Sequence, residues 1–201
     1  MMIKYWRYRN QLFQKFDKGI RFDKEGFESS KSEAVANFLA RHLQGEVVYD
    51  AFTGIGGSAI AFAREGKRVV SVEINSERSR MAAHNAAIYG VDGLIEFVVG
   101  DSMKLWKQFD FDAVYFDPPW GGVGYEKCKS LDYSSLKLNI LPLIKMLIAR
   151  GKNVAVTVPL NFDLNELKKI NRHVHIYYNN QYGKPYCMHC IWRNDEKWPM
   201  P

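Results

Sequence analysis

Short apolar runs alternate with longer amphipathic stretches along most of the chain. Residues 47–50, 68–73, 94–99, 113–116 and 153–158 are rich in Val, Ile, Phe and Tyr and are closed by Gly, Pro or an acidic residue. Runs of that length and composition predict buried strands rather than helices. Between them, residues 32–42, 58–64 and 76–89 carry apolar positions at helical spacing, with Ser76 expected to cap the last of these. A further helix is predicted over 134–149, interrupted at Pro142. Strands alternating with helices imply a parallel sheet covered on both faces, with ligands at the carboxyl ends of its strands. Runs around 173–178 and 186–192, separated by a polar turn over 179–185, predict a closing strand pair. The whole is expected to be one α/β domain over residues 32–201, preceded by an N-terminal extension over residues 1–31.

The strand ends carry the candidate chemistry. Asp50, Glu73, Asp101 and Asp117 each close an apolar run, a placement that random scatter of acidic residues would not produce. Asp50 leads into Ala51-Phe52-Thr53-Gly54-Ile55-Gly56-Gly57, a Gly-rich turn entering a helix. Glycines there allow close backbone approach to a small polar cofactor, and the helix start offers unpaired amides. Glu73 stands where nucleotide-binding α/β folds hold ribose hydroxyls, and Asp101 is placed to accept from an adenine amine. Asp117-Pro118-Pro119-Trp120 follows the fourth strand. Consecutive prolines force a fixed, non-helical exit, building a ledge with an acidic oxygen, proline carbonyls and a flat indole. Those parts suit an exocyclic amine on a nucleobase. The set resembles a class I S-adenosylmethionine-dependent methyltransferase: Rossmann-like, with a mostly parallel seven-stranded sheet.

Composition narrows the setting. The chain has 201 residues, 47% of them hydrophobic, enough for a single well-buried core. No apolar run reaches the roughly 20 residues that a bilayer span needs, so a soluble, intracellular monomer without membrane contact is expected. Cys128, Cys187 and Cys190 give an odd count without a disulfide framework. Cys187-Met188-His189-Cys190 supplies at most three zinc ligands and alternates like a strand, so no metal is assigned. The formal charge of +6 favours an anionic partner. Lys4, Arg7, Arg9, Lys15, Lys18, Arg21, Lys24 and Lys31 crowd the first segment, interleaved with Tyr5, Trp6, Tyr8, Phe13 and Phe16. That mixture suits RNA phosphates and bases, although the rings could equally dock the extension on the core.

At family level the chain resembles trimethylguanosine synthase, the RNA cap guanine-N2 methyltransferase. The residues that carry this are Lys4-Tyr5-Trp6, Leu12-Phe13, Phe16-Asp17, Gly19-Ile20, Asp23, Glu25-Gly26, the run Asp50 to Gly57, Asn85-Ala86, Tyr89-Gly90, Gly100-Asp101, Pro118-Pro119-Trp120-Gly121-Gly122 and Tyr125, ending near Pro159 and Asn161. The resemblance implies a short helical extension forming part of the pocket, S-adenosyl-L-methionine as cofactor, and a 7-methylguanosine RNA cap methylated at N2 to dimethyl- and trimethylguanosine. It implies Asp117, Pro118 and Trp120 at the reaction centre, with Trp120 stacked on the cationic base, an attraction of roughly 1–3 kcal/mol. Phe13, Ser29, Asp50, Thr53, Gly54, Gly56, Glu73, Asp101 and Asp117 would hold the cofactor. Lys4, Lys31, Asn85, Trp120, Tyr125 and Asn161 would face the cap.

Two departures accompany this resemblance. Asp117 stands where the family usually has Ser, and Asp-Pro-Pro-aromatic is more typical of enzymes acting on exocyclic amines of other nucleic acids. Leu160 stands where an arginine often contacts cap phosphates, and Lys31 likewise replaces a threonine. The alternatives are an N2-guanine or N6-adenine methyltransferase acting on other RNA or DNA, and a noncatalytic cap-binding module. Recruiting protein partners are not indicated.

Overall fold

A computed structural model describes residues 6–120, 130–132, 134, 138–170 and 173–194. Lys4, Tyr125 and Cys128, together with much of the segment after Trp120, lie outside the described residues. The core is a seven-stranded sheet in the order β3-β2-β1-β4-β5-β7-β6. Its strands are β1 (Val47–Asp50), β2 (Arg68–Glu73), β3 (Ile95–Val99), β4 (Ala113–Phe116), β5 (Asn153–Pro159), β6 (His175–Gln181) and β7 (Lys184–Trp192). The first five pair in parallel, and β7 runs antiparallel to both β5 and β6. The mostly parallel α/β sheet expected from the apolar runs is therefore present.

Strand alternation builds two cores. In β4, Val114 and Phe116 pack with Val156, Val158, Ile144 and Met188, while Ala113 and Tyr115 face the other layer with Leu39, Ala59 and Phe62. That second layer is made by α3 (Glu33–His42), α4 (Gly57–Arg64) and α5 (Ser76–Tyr89). In α4, Ala59, Ile60, Ala61, Phe62 and Ala63 are all buried, and the three alanines let the helix lie close to its neighbours.

Element ends differ from expectation where a neighbouring side chain caps better. Asn75, not Ser76, caps α5, its side chain accepting from the Glu77 and Arg78 amides. Ser76 is the first helical residue. The helix expected over 134–149 starts only at Leu141, as α7 (Leu141–Ala149), and Pro142 sits in its first turn, where a missing amide costs nothing. The closing pair is longer than expected. β6 reaches Gln181 and β7 begins at Lys184, leaving only Tyr182 and Gly183, both at positive φ, as the turn. Positive φ at both central residues matches the right-handed twist of the hairpin. Leu94 belongs to a 3-10 turn over Asp92–Leu94 rather than to β3.

The N-terminal extension shares the second core. Leu12, Phe13, Phe16, Ile20 and Phe27 are buried against that layer. The extension contains α1 (Arg9–Leu12), a 3-10 turn over Phe16–Lys18 and α2 (Lys24–Ser29), with Asp23 capping α2 through the Gly26 amide. Gly26 is needed where it is, because a Cβ there would lie 2.5 Å from Ile55 Cγ2 in the Gly-rich turn. Polar ties reinforce the docking. Glu33 Oε2 accepts from the Gln14 amide at 2.8 Å and from the Tyr89 hydroxyl at 2.6 Å, and its other oxygen pairs with Arg64. Arg78 bridges Asp23 at 2.8 Å and Glu25 at 2.5 Å.

Asn85 is the central tie and corrects its expected role. Its Oδ1 accepts from the Arg21 amide at 2.8 Å, and Nδ2 donates to the Arg21 and Ile55 carbonyls at 2.9 Å each. The side chain is fully buried and both its donors are used, so Asn85 joins the extension to the Gly-rich turn instead of contacting the cap. Asn85→Ala leaves three backbone groups without these partners. It should lower stability by about 2–3 kcal/mol in urea unfolding, with the m-value unchanged.

Candidate active site

Strand order sets out the acidic groups. Asp101, Glu73, Asp50 and Asp117 follow the C-terminal ends of β3, β2, β1 and β4, which are neighbours in that sequence. The chain leaves β1 for β2 on one side and later adds β4 on the other, so the strand order reverses between Asp50 and Asp117. In an open α/β sheet that reversal opens a crevice at the carboxyl edge.

On one side of the crevice the Gly-rich turn is held from β2. Glu73 accepts from the Gly54 amide through Oε2 and from the Asn75 amide through Oε1, both at 2.9 Å. Thr53 Oγ1 lies 2.6 Å from Ser71 Oγ, and its amide donates to the Val72 carbonyl at 3.1 Å. Gly54 and Gly56 have φ of +56° and +94°. A Cβ on Gly56 would come within 3.1 Å of Ala82 Cα, so glycine lets the turn rest on α5. Phe13 reaches the same place, its ring tip 3.7 Å from where a Gly57 Cβ would be. Asp101 accepts from the Met103 amide at 3.0 Å, capping the short α6 (Ser102–Leu105). Ser29 is exposed at the end of α2, its hydroxyl turned toward the Gly26 carbonyl at 3.5 Å.

Asp50 is completely buried, and neither carboxylate oxygen has a hydrogen-bond partner. Burial, then repulsion from Asp117, pushes its pKa up to about 7; Lys31 and the Phe52 amide pull the other way without offsetting this. A buried acceptor left open at the crevice is what a cationic amine needs. The amino-acid end of S-adenosylmethionine carries such an amine, so the donor set Asp50, Gly54, Gly56 and Glu73 fits that cofactor.

Across the reversal, Asp117 is partly exposed, Pro118 and Trp120 are buried, and Pro119 is exposed. The Trp120 indole stands T-shaped to Phe162, with ring centroids 5.4 Å apart, and its Nε1 is buried without a partner. It is only 9% exposed and belongs to the first core, so it is a packed wall rather than an open platform. Asn161 lies just past β5, its carbonyl accepting from the Leu131 amide at 2.9 Å. Lys31, expected to face the cap, is buried and ion-paired with Asp117. That removes it from solvent-side phosphate contact.

A polar chain invisible in the sequence underlies this ledge. Tyr115 hydroxyl meets Thr157 Oγ1 at 2.7 Å, and Thr157 meets His189 Nδ1 at 3.1 Å. Burial, then the charge of Lys31, drives the His189 pKa down to about 3, so the ring is neutral at working pH. The Cys187-to-Cys190 run is part of β7, with both thiols buried.

Asp50 also sets a pH dependence. Between its unfolded pKa near 3.8 and its folded value of about 7, the folded state keeps a proton that the unfolded chain has released. Its contribution to stability is therefore full below about pH 4 and falls as pH rises through about 7. Asp50→Asn removes this slope. Urea midpoints at about pH 5 and about pH 8 should lie closer together in the variant than in the parent.

Comparison with known proteins identifies the family. The sequence profile described as RNA cap guanine-N2 methyltransferase matches residues 45–192. Trimethylguanosine synthase of Schizosaccharomyces pombe is 35% identical over 91% of this chain and 77% of its own length. The Saccharomyces cerevisiae trimethylguanosine synthase is 33% identical over 86% of this chain, which spans 59% of that protein. Among solved structures, a putative methyltransferase from Porphyromonas gingivalis superposes with a TM-score of 0.73 at 20% identity, covering 96% of this chain and 49% of that one. An RNA methyltransferase from Salinibacter ruber, in complex with S-adenosyl-L-homocysteine, superposes with a TM-score of 0.50 at 20% identity over 84% of this chain and 94% of that one. These two likenesses establish the fold, while the profile and the curated relatives establish the family: the chain belongs to the RNA cap guanine-N2 methyltransferases.

Proposed function

We propose that this chain transfers methyl groups from S-adenosylmethionine to the exocyclic N2 of a 7-methylguanosine RNA cap, giving the 2,7-dimethyl and then the 2,2,7-trimethyl form. The observation that carries the reading is the pairing of Asp50, a buried carboxylate with no partner, with the Asp117-Pro118-Pro119-Trp120 ledge across the same crevice. Asp50, Gly54 and Glu73 hold the cofactor side, and Asp117 and Trp120 the base side. S-adenosylmethionine held there would supply an electrophilic methyl carbon to the N2 nitrogen, with S-adenosylhomocysteine as the leaving group.

The protein's part is positioning and charge. Asp117 accepts a hydrogen bond from the N2 amine, turning its lone pair toward the methyl and favouring the positive charge that develops on nitrogen. Holding amine and methyl at roughly 3–3.5 Å supplies most of the rate. No strong base is needed, since the alkylated nitrogen is acidic and loses its proton to water or to Asp117. Lys15, Lys18, Arg21 and Lys24 are exposed on the extension while Phe13 and Phe16 are buried. The rings therefore dock the segment and its cations face the RNA phosphates.

The purified protein should add one or two methyls to 7-methylguanosine diphosphate and none to guanosine diphosphate, read by mass spectrometry. Transfer only to longer RNA or DNA would favour the base methyltransferase reading to which Asp117 points. Because Trp120 is packed on Phe162, Trp120→Ala would lose stability as well as binding. Trp120→Phe keeps an aromatic ring there and should weaken 7-methylguanosine diphosphate by about tenfold in a binding titration, through loss of the larger indole face.

A further inference from the structure

The two positions at which this chain carries a charge where the family resemblance leads to a hydroxyl, 31 and 117, touch each other. Lys31 Nζ pairs with Asp117 Oδ2, and Asp117 Oδ1 has no partner among the described residues. The lysine side chain is 5% exposed and that of the aspartate 25%. The ammonium also lies 5.7 Å from the centre of the Tyr115 ring. Its backbone is fixed from both directions. Ser32 begins α3, its hydroxyl accepting from the Val35 amide, while its own amide donates to Gln181 Oε1 at 2.7 Å at the tip of the β6–β7 hairpin.

Charge balance explains why the lysine is there. Asp50 and Asp117 face each other across the reversal in strand order, and the charge of Asp117 adds to the cost of ionising Asp50. Burial acts to lower the Lys31 pKa, but Asp117 outweighs it, helped by Tyr115, Tyr186 and Cys187, and the group is held charged well above its ordinary range. Lys31 and Asp117 are each other's counter-ion at the buried end of the crevice, and removing either leaves the other charge uncompensated.

We propose that Lys31 is a positioning residue for methyl transfer: its ammonium clamps Asp117 through Oδ2, leaving Oδ1 for the N2 amine. This rests on the function proposed above. Lys31 thereby acts through Asp117 and makes no contact with the cap phosphates.

Four variants test this: Lys31→Met, Lys31→Thr, Asp117→Ser and the double Lys31→Thr/Asp117→Ser, each assayed for methyl transfer to 7-methylguanosine diphosphate and for urea unfolding. Lys31→Met should lower kcat at least tenfold near pH 7 while KM for the cap compound changes less than about threefold. Asp117→Ser should lose at least tenfold in kcat, and the double variant should regain at least tenfold over it. Unfolding midpoints should follow the same pattern, low in the Lys31→Thr and Asp117→Ser single variants and higher in the double. That arm decides the matter even if Lys31→Met fails to fold.

A raised KM with unchanged kcat in Lys31→Met would make the lysine a phosphate ligand and overturn the proposal. So would a double variant no better than the product of its singles in both assays. A parent protein that unfolds with the expected coupling but transfers no methyl to the cap compound would instead overturn the proposed function, and with it the catalytic meaning of the pair.

Discussion

β1 has to pair with β2 on one side and with β4 on the other, and everything at the active edge follows from that double pairing. Parallel strands deliver their carboxyl ends to one edge, so residues far apart in sequence arrive side by side there. Asp50 lies 67 residues before Asp117 in the sequence, yet it pairs in register with Tyr115, two residues before the aspartate. Moving β4 to the far side of β2 would leave the same motifs intact and dismantle the crevice. The glycines that follow Asp50 have a related task. They let the turn settle against Ala82 and take the Glu73 carboxylate on a backbone amide, which fixes the cofactor side from two neighbouring elements.

The extension is held to this edge by its own hydrophobic cost. Leu12, Phe13, Phe16, Ile20 and Phe27 have nowhere else to bury, and each fully buried side chain of this kind contributes on the order of 1.5–3 kcal/mol. Their burial puts α2 directly on Ile55 in the Gly-rich turn and brings the residue after it, through Ser30, to Lys31 at Asp117. Docking of the described part of the extension and placement of Lys31 against Asp117 are thus linked through one short stretch of chain. Glu33 shows the same coupling, because a single carboxylate takes the Gln14 amide from the extension, the Tyr89 hydroxyl from α5 and Arg64 from α4.

What could be read from the sequence is what depends on local pattern. The apolar runs give the five parallel strands to within a residue, and the acidic residues that close them lie at the carboxyl edge as their position demands. Caps were harder, since Asn75 and Ser76 are both good caps and only the geometry of the turn chooses between them. Asn179, Asn180 and Gln181 have the composition of a turn, yet they remain in β6 because Asn179 and Gln181 point inward, where Gln181 takes the Ser32 amide. For Asn85 and Lys31 the resemblance implies a place at the cap, and a position in the chain does not tell a ligand contact from a side chain already tied up inside the protein. The polar chain Tyr115, Thr157 and His189 had no signal at all, because its members lie on three strands and meet only when β4, β5 and β7 are paired.

The distribution of charge then separates two scales of recognition. Over the whole chain the balance is +6, and the exposed lysines and arginines of the extension present that excess to an anionic polymer. Inside the crevice the balance is reversed, with Asp50, Glu73 and Asp117 against Lys31. A sulfonium cofactor and a 7-methylated guanine are both cations, and each would meet carboxylates at short range in a place where water is thin and charge is poorly screened. An unmethylated guanine brings no charge to balance, so the same crevice that welcomes the cap discriminates against the ordinary base. A basic surface for the RNA and an acidic cleft for its modified base are then compatible in one small domain, because the sheet edge keeps the cleft buried while the extension keeps the cations outside.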